Sequence, residues 1–172
     1  MLGLKGLGYV FRALRNGRLN AVQIRRRHQL FRKGRSKVVG DTGPGVKALI
    51  VVPTRELCVQ VAEDLELAAS NRPTQIVAIY GGKAYEGQIE QLKAGAQIVV
   101  GTPGRLIDLS NQRLLDLSNA TEVVLDEADK MLDLGFLPDI EKIFSKVPAV
   151  RHTQLFSATM PGPIVALARR FM

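Results

Sequence analysis

Asp126-Glu127-Ala128-Asp129 follows the apolar run Val123-Val124-Leu125 and sets three carboxylates at its end. A carboxylate at the carboxyl end of a parallel strand faces the crevice in which open α/β sheets bind ligands. Two adjacent acids in that place suit a Mg²⁺ ion together with a base that activates water. A second group of residues suits phosphate. Thr102-Pro103-Gly104-Arg105 falls where a strand gives way to a helix N-terminus, whose unpaired amides attract an anion and to which Arg105 adds a charge-assisted bond. Gly81 and Gly82 end another apolar run and offer main chain without side chains, open to close approach. Arg55, in Pro53-Thr54-Arg55, is a basic group after a third run. Taken singly, the acids are also readable as a solvated turn, the others as caps or surface charges, and Ser157 and Thr159 as a strand-end turn held by hydroxyls.

These residues need a scaffold that brings strand ends together. From Lys47 onward, short β-rich runs alternate with segments of helical spacing, the pattern of a parallel sheet with crossover helices. Strands are expected at Lys47 to Val52, Gln75 to Tyr80, Gln97 to Val100, Glu122 to Leu125 and Thr153 to Phe156. Helices are expected from Leu57 through Val61 and Leu65 to Ala68 or Ala69, over Tyr85 to Lys93 with Gly95 closing it, from Pro103 onward, over Pro138 to Val147, and over Pro163 to Phe171. Apolar residues every three to four positions mark the helices, and continuous apolar runs mark strands buried on both faces.

The chain has 172 residues, 46% hydrophobic, 23% charged and 5% aromatic, with mean hydropathy +0.05, enough for a single core. Its longest apolar run, Ala48 to Val52, is far short of the roughly 18 to 20 residues of a membrane span, and no secretory apolar segment follows the N-terminus. A soluble, cytoplasmic protein without membrane partners is expected. One cysteine, Cys58, and two distant histidines, His28 and His152, give neither an internal disulfide nor soft-ligand metal spacing. The net charge of +8 is unevenly held: residues 1–40 carry eleven Lys and Arg and no acid, while residues 41–172 carry thirteen basic and sixteen acidic residues. Residues 1–40 are therefore separated from 41–172. Leu4, Leu7, Phe11 and Leu14 have helical spacing among several glycines. A disordered basic arm, sequence foreign to the domain, and a serine-poor mitochondrial presequence all fit this stretch.

Pro53-Thr54-Arg55-Glu56-Leu57, Gly81-Gly82, Thr102-Pro103-Gly104-Arg105, Asp126-Glu127-Ala128-Asp129 and Ser157-Ala158-Thr159 together resemble, in order, the motifs of DEAD-box RNA helicases. The resemblance covers Lys47 to Met172 and is extended by Gln60, Leu132 to Phe136 and Gln154 to Met160. It implies the greater part of the first of two RecA-like P-loop NTPase domains, with ATP and Mg²⁺ as cofactors, RNA as partner and ATP-dependent RNA unwinding as the activity. By that resemblance Asp126 acts on the Mg²⁺ of ATP through water, and Glu127 orients and deprotonates the attacking water. Asp129 bonds to Ser157 and Thr159 and couples nucleotide to RNA, while Pro53, Thr54, Arg55, Gly81, Gly82, Thr102, Pro103, Gly104 and Arg105 hold the RNA backbone. Such contacts carry no base code, so binding is expected to be indifferent to sequence.

The same resemblance calls for a Gly-rich loop ending in Gly-Lys-Ser or Gly-Lys-Thr before Lys47, on a strand–loop–helix unit, to cradle phosphates. Gly40-Asp41-Thr42-Gly43-Pro44-Gly45-Val46-Lys47 does not supply it, since Val46 stands at the lysine position and a strand follows where a helix should. The family's glutamine motif and second RecA-like domain are also missing from these residues. The expectation is thus an incomplete domain, lacking its first strand, phosphate loop and following helix, and inactive alone. Two rivals are a non-catalytic RNA- or partner-binding module and a helicase-like ATPase acting on DNA. An acid-free, Arg-rich stretch in place of those motifs is what a GC-rich gene gives in a shifted frame. Translating the nucleotides upstream of the Lys47 codon in the other two frames should recover a loop ending in Gly-Lys-Thr or Gly-Lys-Ser. Stops in both frames and no such loop would make the basic segment authentic and favour the non-catalytic module.

Overall fold

The computed structural model describes residues 45–69, 73–82 and 84–172. The basic N-terminal segment, with its helical spacing at Leu4 to Leu14 and most of the Gly40 to Lys47 stretch, lies outside the described residues. The five strands are β1 (Ala48–Val51), β2 (Ile76–Ile79), β3 (Ile98–Gly101), β4 (Glu122–Leu125) and β5 (His152–Leu155). The helices are α1 (Arg55–Ala68), α2 (Tyr85–Lys93), α3 (Pro103–Asn111), α4 (Ala128–Asp133), α5 (Leu137–Phe144) and α6 (Gly162–Phe171). The strands form one parallel sheet in the order β2-β3-β1-β4-β5. The parallel sheet with crossover helices is therefore the one expected, strand by strand to within a residue or two.

Three local features differ from the sequence reading. Helix α4 was not expected, because six residues directly after an acidic turn hold too short a period to register; only Ala128 and Met131 bury a face. Helix α5 stops at Phe144 rather than Val147, since Pro148 forbids helical geometry just before it and the Lys146 amide turns back onto Ile143 O at 3.0 Å. After α2, Ala94 is the cap, and Gly95 follows it in the left-handed region at φ 101°.

Alternating side chains divide the sheet into two apolar faces. On one, Leu49, Val51, Val77, Ile79, Val99, Val123 and Leu125 pack against Leu106 and Leu109 of α3, Met131 of α4, Ile140 and Ile143 of α5, and Ile164 and Leu167 of α6. Each fully buried leucine in that layer contributes about 1.5–3 kcal/mol. On the other, Val52, Tyr80 and Val100 meet Cys58, Val61 and Ala62 of α1. Cys58 is part of this core: its Sγ donates to Val100 O at 3.2 Å, and burial pushes its thiol up to about 12, against a smaller lowering by the Ile79 carbonyl. It is a packing residue and not a nucleophile at neutral pH.

Gly101 ends β3 under Leu106, and a Cβ there would lie 2.6 Å from Leu106 Cγ and 3.0 Å from the Ile79 carbonyl oxygen. That missing side chain lets α3 start at the sheet edge. Gly101→Ala should therefore destabilise the fold by about 1–3 kcal/mol, read as a lower urea midpoint, and the cost should shrink in a Leu106→Ala background. Equal midpoints for wild type and Gly101→Ala would remove the close approach as a constraint.

Candidate functional site

All five candidate segments leave the sheet at one edge. The last residues of the strands are paired in a single row, Ile79 with Gly101, Gly101 with Val51, Val51 with Leu125 and Leu125 with Leu155. The next residue of β3, β1, β4 and β5 continues the ladder by one more rung. Thr102 N donates to Ile79 O at 2.9 Å, Val52 N to Gly101 O at 3.0 Å, Asp126 N to Val51 O at 3.0 Å, and Phe156 N to Leu125 O at 2.8 Å. The order along the edge is Gly81-Gly82, Thr102 to Arg105, Pro53 to Arg55, Asp126 to Asp129, and Ser157 to Thr159. The phosphate-type residues, after β2, β3 and β1, thus occupy one half, and the acids and hydroxyls, after β4 and β5, the other.

On the phosphate half, Thr54 caps α1, its hydroxyl accepting from Leu57 N at 3.3 Å, and Arg55 is exposed. Pro53 and Pro103 are buried and shape the turns, Pro103 at the first turn of α3, while Thr102 is the α3 cap residue and makes no side-chain cap bond. Gly104 is exposed at the start of α3 with open space where a side chain would lie, as at Gly81. Gly82 has φ 77°, the left-handed conformation that glycine adopts without strain, and a Cβ there would come 3.7 Å from an Arg55 Nη1. Gln88, which the sequence reading passed over, closes this turn. Its Oε1 accepts from Tyr80 N at 3.2 Å, and its Nε2 donates to Tyr80 O and Ala84 O, both at 3.3 Å. The available signal was a polar residue on the buried side of α2, beside Ile89 and Leu92.

On the acid half, Asp126 is almost fully buried, and desolvation, with a smaller push from the Asp129 charge, raises its carboxyl to about 7. Its Oδ1 accepts from Glu127 N at 3.0 Å. Glu127 has φ 53° and ψ 50°, a left-handed conformation that is uncommon for a residue with a Cβ and that concentrates at functional turns. Its carboxylate lies 3.7 Å from Lys130 Nζ. Asp129 donates its backbone N–H to Ser157 Oγ at 3.0 Å, and its Oδ2 accepts from Thr159 N at 2.9 Å and Thr159 Oγ1 at 3.0 Å. Burial pushes the Asp129 carboxyl up, but the bonds from Thr159, Ser157 and Lys130 outweigh it and leave it below the usual carboxylate range. Among the described residues no group of three or more His, Cys, Asp or Glu could hold a metal alone, and no helix is long and apolar enough to cross a membrane.

The family model for DEAD/DEAH box helicases matches residues 21–167, beginning inside the basic segment. The chain is 47% identical over 134 residues to a DEAD-box ATP-dependent RNA helicase CshA of Bacillus subtilis, covering 78% of this chain and 27% of that protein. It is 52% identical over 127 residues to an ATP-dependent RNA helicase CshA of Listeria monocytogenes, covering 74% and 24%. Among solved structures, a DEAD box protein from Methanococcus jannaschii matches with TM-score 0.72 and 48% identity over 74% of this chain and 35% of that one. A hypothetical ATP-dependent RNA helicase from Sulfolobus tokodaii matches with TM-score 0.70 and 42% identity over 74% and 38%. The chain thus spans about a quarter of the length of these curated relatives.

A carboxyl whose pKa rises from 3.8 in the open chain to about 7 on folding binds its proton more tightly when folded, so its contribution is lost as pH rises from about 4 through 7. Asp126→Asn should therefore match the wild type near pH 4 and exceed it above pH 7, by an amount on the order of a few kcal/mol. Urea unfolding in chelator across that range measures the difference. A difference independent of pH would contradict the desolvation of Asp126.

Proposed function

The chain belongs to the DEAD/DEAH box helicase family, and from that premise we propose that residues 41–172 are the greater part of an RNA helicase's ATP-binding, first RecA-like domain, preceded by a basic segment over residues 1–40. The activity is ATP-dependent unwinding of RNA duplexes and remodelling of RNA–protein complexes in the cytoplasm, with a second RecA-like domain that these residues do not include. The observation that carries this reading is the single row of strand ends, which aligns five motif segments along one sheet edge.

On the phosphate half, Arg55 and Arg105 supply charge, Thr54 and Thr102 stand at helix starts, and Gly81, Gly82 and Gly104 leave the main chain open to a sugar–phosphate backbone. On the acid half, Asp126 would be the residue to hold a Mg²⁺ together with nucleotide phosphates, because a site of that kind asks for one or two carboxylates and not a full protein cage. A cation there would also favour the charged carboxylate that burial opposes. When bound with ATP, the ion neutralises charge on the phosphoryl group being transferred. Glu127 orients the attacking water and takes its proton; its left-handed turn and the Lys130 ammonium 3.7 Å away hold its carboxylate in place. Asp129, through Thr159 and Ser157, links this half to the loop after β5 and so to interdomain coupling. No residue from Lys47 onward supplies the amides and lysine of a phosphate loop, so the chain alone does not turn over ATP.

Fluorescence anisotropy with labelled oligo-U and oligo-A of equal length tests the RNA half. Both should bind equally, with affinity falling steeply with salt, and Arg105→Ala should lower the salt slope by about one. Preference for one base, or no binding, would reject this part. Steady-state hydrolysis of ATP with saturating RNA should be no faster than for Glu127→Gln; RNA-stimulated turnover that Glu127→Gln abolishes would overturn the inactivity of the isolated chain.

A further inference from the structure

The two arginines of the phosphate half each lie over an aromatic ring, and the two rings bracket one glycine turn. Arg55 Cζ is 5.1 Å from the centroid of Tyr80, and Arg105 Cζ is 4.0 Å from that of Tyr85. Tyr80 is buried and fixed by Gln88 through its backbone. Tyr85 differs: it opens α2, is only half-buried, and its hydroxyl donates to the Asp108 carboxylate. Asp108 lies three residues beyond Arg105 on α3, and its other oxygen accepts from Gln112 Nε2 at 2.9 Å. One helix therefore grips the ring of another in two places, with a cation on its face and a carboxylate on its hydroxyl. The bond from Tyr85 also holds the Asp108 carboxyl below the usual range, so the anchor stays ionised.

This arrangement has a direct consequence for phosphate binding. An unconstrained arginine gives up much of its rotamer freedom when it fixes a phosphate, whereas one already stacked on a ring has given up part of it beforehand. We propose that Tyr85, anchored by Asp108, is a positioning residue that holds Arg105 oriented for an RNA phosphate. The inference rests on the RNA-backbone reading of Arg105. A ring that acts through the arginine has the same effect for every RNA sequence, and that effect vanishes when Arg105 is absent.

The test measures the affinity of the full chain for fluorescein-labelled oligo-U by anisotropy, at several KCl concentrations. The proteins are wild type, Tyr85→Leu, Tyr85→Phe, Arg105→Ala and the double variant Tyr85→Leu/Arg105→Ala. Leucine keeps apolar contact without a π face; phenylalanine keeps the face without the hydroxyl. Arg105→Ala should bind about tenfold more weakly. Tyr85→Leu should lose about two- to fivefold and share part of the reduced salt slope, while Tyr85→Phe recovers most of the loss. The double variant should bind no more weakly than Arg105→Ala. If Tyr85→Leu weakens binding by the same factor with and without Arg105, or leaves it unchanged while Arg105→Ala weakens it, the positioning role is overturned. If wild type does not bind, or Arg105→Ala binds as wild type does, the RNA reading of Arg105 has failed and the inference falls with it. Urea midpoints for each variant separate loss of folding from loss of affinity; should Tyr85→Leu not fold, Tyr85→Met, which also lacks a π face, takes its place with and without Arg105→Ala and decides by the same criterion.

Discussion

The rung of backbone hydrogen bonds that joins Ile79, Gly101, Val51, Leu125 and Leu155 fixes everything that follows it. Because the strands are parallel and in register there, five loops leave the sheet at one level, and each motif residue begins within one or two positions of the rung. A slip of one residue in any strand would turn its apolar side chains to the opposite face, and the two cores forbid it. Leu49 and Val51 must face α3 to α6, and Val52, on the turn after β1, must face α1. Register is thus set by burial, and the site inherits its geometry from register.

Two features of the acid half run against local preference, and both fall at the same turn. Asp126 is a buried carboxyl with a raised pKa, and Glu127 beside it adopts a left-handed backbone. A solvated turn has no reason to hold either. The surroundings impose them: Asp126 N is tied to Val51 O, Ala128 N to Phe156 O at 3.0 Å, and Ala128 and Met131 anchor α4 in the core. The neighbouring strands β1 and β5 therefore over-determine the turn, which is how strain is stored where chemistry needs a fixed carboxylate.

The strands and most helices were legible because their apolar periods are long enough to count; β4 was read to the residue. The motif strings gave the acids and the phosphate-type residues, yet not their arrangement, since strand order is a property of long-range pairing. Three things were illegible. Helix α4 holds fewer than two turns. Gln88 reads as one more polar residue of α2 until Tyr80 and Ala84 are seen around its amide. The seat of Arg105 on Tyr85 joins residues twenty apart through Asp108, and no sequence period connects them. The basic segment stood apart by composition alone.

The place of β1 bears on how the two halves can communicate. β1 is hydrogen-bonded on both sides, to β3 and β4, so the Arg55 turn and the Asp126 turn are tied to one rigid strand. A close-packed ladder of this kind has one arrangement and not two, and it can hold the halves in position without switching between states. The bonds that can exchange lie outside the sheet. Thr159 is exposed, and its two bonds to the Asp129 carboxylate compete with water, whereas the bond from Asp129 N to Ser157 is part-buried. Of the two attachments of this loop, the one through Thr159 is thus open to exchange with water and the one through Ser157 is the more sheltered. This division between a fixed sheet and a solvent-exposed loop is what supports the coupling role proposed for Asp129, Ser157 and Thr159.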